Sequence, residues 1–359
     1  MPAKKIIITG GGTGGHVFPA LAIAEHLRQN GWEVLYVGTS HGMEARLVAE
    51  KNFPFFTVQT GALKNQGLLK KVKTVFLLLK GLLWSARFLR EQKPQMVLGV
   101  GGYVSAPICL AAFLLRIPVY LQEQNASVGI ANRLLGRLAR KVFLGFKEAE
   151  GCFPKGRSVF TGNPLRTVFY SPEVKTFNAK TNHLLILGGS QGAKAINSAV
   201  ADLLPRIYER FPEIQITHQT GVTDQPVIEA RYKTDAKGPF KVQAFITNMV
   251  EAYNESAFVI CRAGALTVSE LIQVGRPALF VPYPRRGQND QTANAALVQK
   301  AGAGFVVEQG ENFTERLWTV LERAFEPENL RKMSEKYSSL RSNNGLDSIR
   351  THLENALPK

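Results

Sequence analysis

Residues 6–27 constrain this chain more than any other stretch. Ile6-Ile7-Ile8 is a β-branched run that suits a buried strand, Gly10-Gly11-Gly12-Thr13-Gly14-Gly15-His16 follows it, and Leu21, Ala22, Ala24, Glu25 and Leu27 carry a helical pattern. Strand, glycine loop and helix together form an anion-binding unit. Glycines let the backbone bend without a Cβ clash, and the helix start offers unpaired N–H groups to negative charge. Glu33–Val37 predicts a second strand, so the pattern is βαβ, which demands a parallel sheet with a right-handed crossover. The expectation is a phosphate cradle with His16 at its lip. The plain alternative is a histidine satisfied by backbone at a helix start.

The same opening recurs at mid-chain, where His183–Leu187 reads as a strand, Gly188-Gly189-Ser190-Gln191-Gly192 as a glycine loop and residues 193–204 as a helix. Further strands are predicted at Phe53–Val58, Met96–Val100, Val119–Gln122, Val142–Gly145 and Ser158–Thr161, then at Ile214–Gln219, Lys241–Phe245, Phe258–Cys261 and Ala278–Val281. Gly162-Asn163-Pro164 is the turn between the two series. A chain of 359 residues is long for one core, and no short-period repeat is present. The fold class expected is α/β, two Rossmann-like domains facing each other across a cleft. The boundaries expected are 1–163, 164–340 and a helical tail, 341–359, that packs back on the first domain.

Lys and Arg number 44 against 28 Asp and Glu, a net charge of +16, so the surface should attract an anion: nucleic acid, anionic lipid or a phosphorylated substrate. Cys109, Cys152 and Cys261 lack paired spacing, which predicts a reducing compartment with neither zinc site nor disulfide. The chain enters a strand almost at once, leaving no room for a signal peptide. Its most apolar region, Val75–Trp84, is broken by Lys80 and is too short and too charged at its flanks for a membrane span. Residues 66–90 predict one long helix. At 100° per residue, Leu68, Val72, Val75, Leu79, Leu82 and Ala86 form the face expected to meet a sheet. The other face mixes Lys70, Lys73, Lys80 and Arg87 with Leu77, Trp84 and Phe88. Two explanations stand: a second packing contact inside the protein, or docking on an anionic bilayer. The net charge favours the second.

Gly10, Gly12 and Gly15 satisfy G-x-G-x-x-G, yet the second strand ends Tyr36-Val37-Gly38-Thr39 without the carboxylate a dinucleotide ribose needs, and no Lys-Ser/Thr step completes a P-loop. The strongest local signal is Cys261–Glu270. A strand ends, Gly264 permits close backbone approach, and a helix begins whose amides can face a diphosphate. Glu270, one turn further, can accept from two vicinal ribose hydroxyls. A capping glycine with a solvated glutamate is the bland alternative. Asp290 and Gln291 suit sugar hydroxyls. No Asp-x-Asp clamp is present, so helix starts, Ser190 and Arg166 are expected to meet a leaving diphosphate, with no divalent metal and no cofactor required.

Taken in order, Gly11-Gly12-Thr13-Gly14-Gly15-His16 with Val17-Phe18-Pro19, Gly99-Val100-Gly101-Gly102-Tyr103-Val104-Ser105, Glu123-Gln124-Asn125, Gly162-Asn163-Pro164 with Arg166, Gly188–Ala193 and Arg262–Glu270 closely resemble the MurG family of peptidoglycan glycosyltransferases. Ala263, where the family often has Ser, and Asp290, where a second Gln can occur, depart from the pattern. The resemblance implies a GT-B fold and inverting transfer of N-acetylglucosamine from UDP-N-acetylglucosamine to the C4 hydroxyl of undecaprenyl-linked muramyl-pentapeptide. It implies donor contacts at Thr13, Gly14, Gly15, Asn125, Arg166, Ser190, Ile246 (through its backbone), Ala265, Leu266, Thr267, Val268, Ser269, Glu270 and Gln291. It also assigns the Trp84 helix to membrane association.

Alongside these, His16 is the expected base, because imidazole titrates nearest neutral pH of the ordinary side chains. Glu123 and Asn125 are expected to orient substrates, and Gly11, Gly12, Gly101, Gly102 and Tyr103 to hold the acceptor diphosphate. The partners implied are the two substrates, an anionic membrane surface and wall-synthesis proteins, with no nucleic acid. The location implied is peripheral, at the cytoplasmic face of the plasma (inner) membrane. A UDP-N-acetylglucosamine epimerase of the same fold is the alternative.

Overall fold

Ile6, Ile7 and Ile8 are all fully buried, and successive side chains enter different cores. That is the period-two alternation of a strand covered on both faces, as a parallel sheet requires. The computed structural model describes residues 4–60, 68–189, 192–284 and 290–357. The chain divides into two units, Met1–Leu165 with Asn343–Lys359, and Arg166–Ser342.

The first unit runs β1 (Lys4–Thr9), α1 (Gly14–Gln29), β2 (Trp32–Gly38), α2 (Met43–Glu50), β3 (Phe55–Thr57), α3 (Leu68–Gln92), β4 (Met96–Gly99), α4 (Ser105–Leu114), β5 (Val119–Glu123), α5 (Ile130–Leu135), β6 (Lys141–Leu144) and β7 (Ser158–Phe160). Its described strands form one parallel sheet in the order β3-β2-β1-β4-β5-β6-β7, with Ile6 opposite Val34 on one side and Met96 on the other. The chain builds outward from β1 to β3, then returns across β1 to lay down β4. This reversal leaves a crevice beyond the carboxyl ends of β1 and β4, where open parallel sheets bind ligands. Gly10–His16 and Gly101–Tyr103 are the loops that follow those two strands.

The second unit repeats the plan with β8 (His183–Leu187), α6 (Lys194–Arg210), β9 (Gln215–Gln219), α7 (Gln225–Asp235), β10 (Phe240–Gln243), α8 (Met249–Glu255), β11 (Phe258–Cys261), α9 (Ala265–Val274), β12 (Ala278–Phe280), α10 (Asp290–Lys300), β13 (Gly304–Val306), α11 (Phe313–Ala324) and α12 (Pro327–Lys336). The order β10-β9-β8-β11-β12-β13 puts the reversal between β8 and β11, so Gly188 and Gly189 after β8 and Arg262–Gly264 after β11 stand at the second crevice.

The tail ends in α13 (Gly345–Glu354), whose Leu346, Ile349 and Leu353 are buried with Ile6, Ile8 and Ala20 in the core of the first unit. Lys4 Nζ meets Glu354 at 2.9 Å, and His26 Nε2 meets Asp347 at 3.1 Å. Gly345 enters at a point with no space for a side chain, since an added Cβ would lie 2.5 Å from Asn163 O.

Helix α3 packs Leu82 and Ala86 on the core of the first unit, as expected, but differs from the expected facing at Leu79 and Phe88. Leu79, predicted to meet the sheet, is 54% exposed and lies in a row with Phe76 at 58% and Leu83 at 73%. Phe88, predicted on the outer face, is only 5% exposed, stacking on Trp84 at 4.9 Å and meeting Phe56 at 4.7 Å. The inward face is set by Gly81 and Ser85, both buried one turn apart. A Cβ at Gly81 would lie 2.6 Å from Gln59 O and 3.4 Å from Pro107 Cβ of α4. That i, i+4 pair of small residues was the readable signal for close approach. Leu77 and Trp84 are half-buried, Lys80 and Arg87 are exposed, and the side chains of Lys70 and Lys73 lie outside the described residues. No helix of the described residues is long and apolar enough to cross a membrane.

Candidate functional site

In the first unit Thr13 caps α1 through its backbone, its carbonyl accepting from His16 N at 3.0 Å and Val17 N at 3.1 Å. The cap puts His16 in the first helical turn, half-buried, with Thr13 and Gly15 exposed beside it. The imidazole lies against the β4–α4 turn, where Gly101 and Gly102 have φ of +106° and +79°. A Cβ on Gly101 would stand 2.9 Å from the His16 ring, so glycine is demanded there by both conformation and space. His16 Nδ1 is 3.1 Å from Gln124 Oε1, at the end of β5. The Tyr103 ring packs against Gly12.

The first glycine loop is already occupied by a carboxyl group of the protein's own. Glu44, in the first turn of α2, is fully buried and accepts from Thr39 N at 3.1 Å, Thr39 Oγ1 at 2.6 Å and Gly12 N at 3.3 Å. Gly11, Gly38 and Gly42 each abut this side chain where a Cβ would collide with it. The carboxylate missing from the end of β2 is therefore supplied by α2, turned toward the loop. Gly11 and Gly12, expected to hold an acceptor diphosphate, thus face a side chain of the protein: Gly11 is buried and the Gly12 N–H is engaged by Glu44. Gly101, Gly102 and Tyr103 lie ahead of α4, whose first turn has no acidic residue.

Glu123 is engaged within the fold at both of its side-chain oxygens. Its Oε1 accepts from Asn125 N at 3.0 Å and Asn125 Nδ2 at 3.3 Å, and its Oε2 from Gly129 N at 3.2 Å and Asn132 Nδ2 at 3.0 Å. Both oxygens of this buried carboxylate are engaged in holding the β5–α5 loop, which fixes Asn125 at the sheet edge. Asn132 and Gln122, polar residues that no sequence motif singled out, are buried behind Glu123.

In the second unit α9 starts at Ala265 after Gly264, and among the described residues a Cβ on Gly264 would find no atom nearer than Thr267 Oγ1 at 3.8 Å. No acidic residue occupies that first turn. Glu270 is half-exposed at its edge; its Oε2 accepts from Tyr253 Oη at 3.0 Å. Burial pushes the Glu270 carboxyl up to about 7, while the Arg166 guanidinium and the Tyr253 hydroxyl pull the other way. Arg166 is exposed, its guanidinium 5.3 Å from the Phe169 ring.

Ile246 is buried next to exposed Phe245, while Leu266 and Thr267 are partly exposed and Ala265 and Ser269 buried. Val268 is a core residue. Its side chain is fully buried and its N–H is bonded to Gly264 O. Gln291 Oε1 accepts from Tyr283 N at 2.9 Å, in the loop after β12. Arg262 Nη1 donates to Val281 O at 3.0 Å and Gln309 Oε1 at 3.2 Å, and Asn294 Nδ2 to Ala263 O at 3.1 Å; these brace the β11–α9 turn from behind. Ser190 lies outside the described residues. Asp290 begins α10 and is half-buried.

Two doubly wound units in series, each with glycine loops at its strand reversal, have the architecture of the GT-B fold class. Comparison with known proteins narrows the class. The chain matches the glycosyltransferase family 28 N-terminal domain over residues 6–144 and the family 28 C-terminal domain over residues 183–349. A UDP-N-acetylglucosamine–N-acetylmuramyl-(pentapeptide) pyrophosphoryl-undecaprenol N-acetylglucosamine transferase from Syntrophotalea carbinolica is 42% identical over 312 residues, 86% of either chain. The protein of the same name from Geobacter metallireducens is 38% identical over 345 residues, 94% of either chain. The crystal structure of Acinetobacter baumannii MurG superposes with a TM-score of 0.80 at 33% identity, covering 98% of this chain and 99% of that one. The chain belongs to glycosyltransferase family 28. A UDP-N-acetylglucosamine 2-epimerase from Neisseria meningitidis, at 15% identity and a TM-score of 0.64 over 98% of this chain and 99% of that one, shares the fold alone.

Proposed function

We infer that this protein moves N-acetylglucosamine from UDP-N-acetylglucosamine to the C4 hydroxyl of undecaprenyl-pyrophosphoryl-N-acetylmuramyl-pentapeptide, with inversion, in peptidoglycan synthesis. The observation that carries this is the near full-length identity with transferases bearing that name. A donor bound to the second unit would set its diphosphate at the α9 start and Arg166, its ribose at Glu270 and its uracil edge at the Ile246 backbone. The helix dipole and the guanidinium then meet charge as it develops on the leaving UDP. In the first unit His16 would take the acceptor proton and Asn125 would orient a substrate. Gly101, Gly102 and Tyr103 would receive the acceptor diphosphate. Single-turnover transfer from UDP-N-acetylglucosamine to a lipid-linked muramyl acceptor tests the whole. Conversion of the donor with no acceptor present would mark an epimerase instead.

This chemistry calls for no resident metal, because the leaving group's charge is met by amides and an arginine. Turnover should be unchanged after exhaustive chelation; a loss restored by a divalent cation would reverse the assignment.

A peripheral position at the cytoplasmic face of the plasma membrane suits the lipid acceptor and the net charge of +16. The apolar stripe Phe76, Leu79 and Leu83 takes the docking role first given to Leu77, Trp84 and Phe88, with Lys80 beside it. The double variant Leu79→Glu, Leu83→Glu should lose binding to anionic vesicles by at least about tenfold, at roughly 1.5–3 kcal/mol of apolar burial per leucine, while keeping turnover on a short-chain soluble acceptor. Equal loss of both would mark misfolding.

A further inference from the structure

A neutral imidazole carries its proton on one nitrogen and accepts only at the other, so a histidine base needs its tautomer set. The structure sets it for His16. Gln124 is buried at the end of β5, and its Nε2 donates to Val100 O at 2.7 Å and Gln122 O at 3.3 Å, and to the side-chain oxygen of Gln122. Two of these partners are backbone carbonyls, which only accept. Turning the amide over would press oxygen against oxygen, so its orientation follows from its neighbours. Oε1 therefore faces His16 Nδ1, 3.1 Å away, and an amide oxygen only accepts. The proton sits on Nδ1. Nε2 keeps its lone pair and has no hydrogen-bond partner among the described residues.

The support behind Gln124 is itself closed. Gln122 Nε2 donates to Asn163 Oδ1 at 3.2 Å, and Asn163 Nδ2 returns to Gln124 O at 3.0 Å, all of it buried. Gly101 lies close against the Nδ1–Cε1 edge of the ring and Gly102 against Cδ2. Rotating the imidazole by half a turn would replace the Nδ1–H bond with a C–H facing Oε1.

We propose that Gln124 is a positioning residue for the transfer, holding His16 in the Nδ1–H form so that Nε2 is the proton acceptor. The proposal rests on His16 being the base. As the acceptor oxygen bonds to the anomeric carbon, its proton passes to Nε2, and the bond from that carbon to the UDP oxygen breaks with its electron pair leaving on UDP. Gln124 Oε1 keeps the Nδ1 proton through this step, in a hydrogen bond that strengthens as the ring becomes cationic. The imidazolium later releases the Nε2 proton to solvent.

The test is the tautomer itself, read by long-range proton–nitrogen NMR on the whole protein labelled in histidine, with the His16 signals assigned by their loss in His16→Ala. Expected is an unprotonated Nε2 in the wild type; a protonated Nε2 overturns the proposal outright. Gln124→Met keeps length but removes the acceptor. It should lower kcat about 100-fold, the lower end of what general-base catalysis contributes, with KM for UDP-N-acetylglucosamine within about twofold. Its His16 should drift to a mixture of tautomers. Gln124→Glu, which when protonated can donate to Val100 O and still accept from Nδ1–H, should recover both tautomer and most of kcat. A folded Gln124→Met with wild-type tautomer and kcat overturns the proposal. Full turnover in His16→Ala, with the tautomer as expected, instead removes the base assignment beneath it.

Discussion

Two histidines of this chain are each anchored by a side-chain amide, and they end in opposite conditions. His218, on β9 of the second unit, is fully buried. Asn197 directs its Nδ2 to Thr220 O at 2.9 Å and Asp224 Oδ2 at 2.8 Å, so its Oδ1 faces His218 Nε2 at 3.1 Å. The other ring nitrogen is 3.0 Å from Tyr232 Oη, which donates to it. Both nitrogens are satisfied within the fold, and burial brings the ring down to about 3. His16 is half-buried and has one nitrogen anchored and the other without a partner among the described residues. The device is the same in both places: an amide whose donors are occupied by acceptor oxygens chooses a histidine's tautomer, and the two rings differ in the fate of the second nitrogen.

The contrast makes unequal demands on the two residues. His16→Ala should lower kcat by about 1000-fold, within the range of general-base catalysis, and leave the urea unfolding midpoint close to wild type; near-normal turnover at saturating substrates would make His16 a second structural histidine. His218→Ala should do the converse. It strands Asn197 Oδ1 and the Tyr232 hydroxyl in a cavity, at about 3 kcal/mol of stability by urea titration, with kcat retained in the folded fraction. The sign of its pH dependence follows. His218 is depressed from 6.5 to about 3 in the folded chain, so the unfolded chain binds the proton first. Its contribution is complete above pH 6.5 and is lost as the pH falls toward 3, and the stability gap between wild type and His218→Ala should narrow over that window.

Glu270 falls between the two histidines, partnered inside the fold by Tyr253 yet open on one side. Its carboxyl sits at about 7, and ribose hydroxyls donate best to the ionised form. Affinity for UDP-N-acetylglucosamine should rise by up to about tenfold from pH 6 to pH 8 and then level, by the ionised fraction alone. In Glu270→Gln the profile should be flat by isothermal titration. An equal slope in the variant would place the titration elsewhere.

The strands and the glycine loops were readable because both depend on short-range chemistry. Ile6–Ile8 and Phe258–Cys261 are β-branched or apolar runs of strand length, and the glycine clusters after them are needed for backbone reasons that act within a few residues. The facing of α3 was misread because the wheel weighed Leu79 and Phe88 by hydropathy alone. Gly81 and Ser85, by being small, decided which side approaches Gln59 and Pro107. Glu123 was read as chemistry because an acid at a sheet's carboxyl edge often is; only the placement of Gly129 and Asn132 shows both its oxygens engaged.

Local pattern, then, was enough for the α/β class, for the two series of strands and for the loops that carry function, since propensity and turn geometry are properties of neighbouring residues. Which loops become neighbours was not. The strand orders place β4 beside β1 and β11 beside β8. Those orders bring Gly101 against His16, aim the Gln124 amide at its ring and carry Glu44 into the first glycine loop. Such pairings join residues 32 to 108 positions apart. They are fixed by how side chains fill space between sheet and helices, a constraint on the whole packed core that no window of sequence contains.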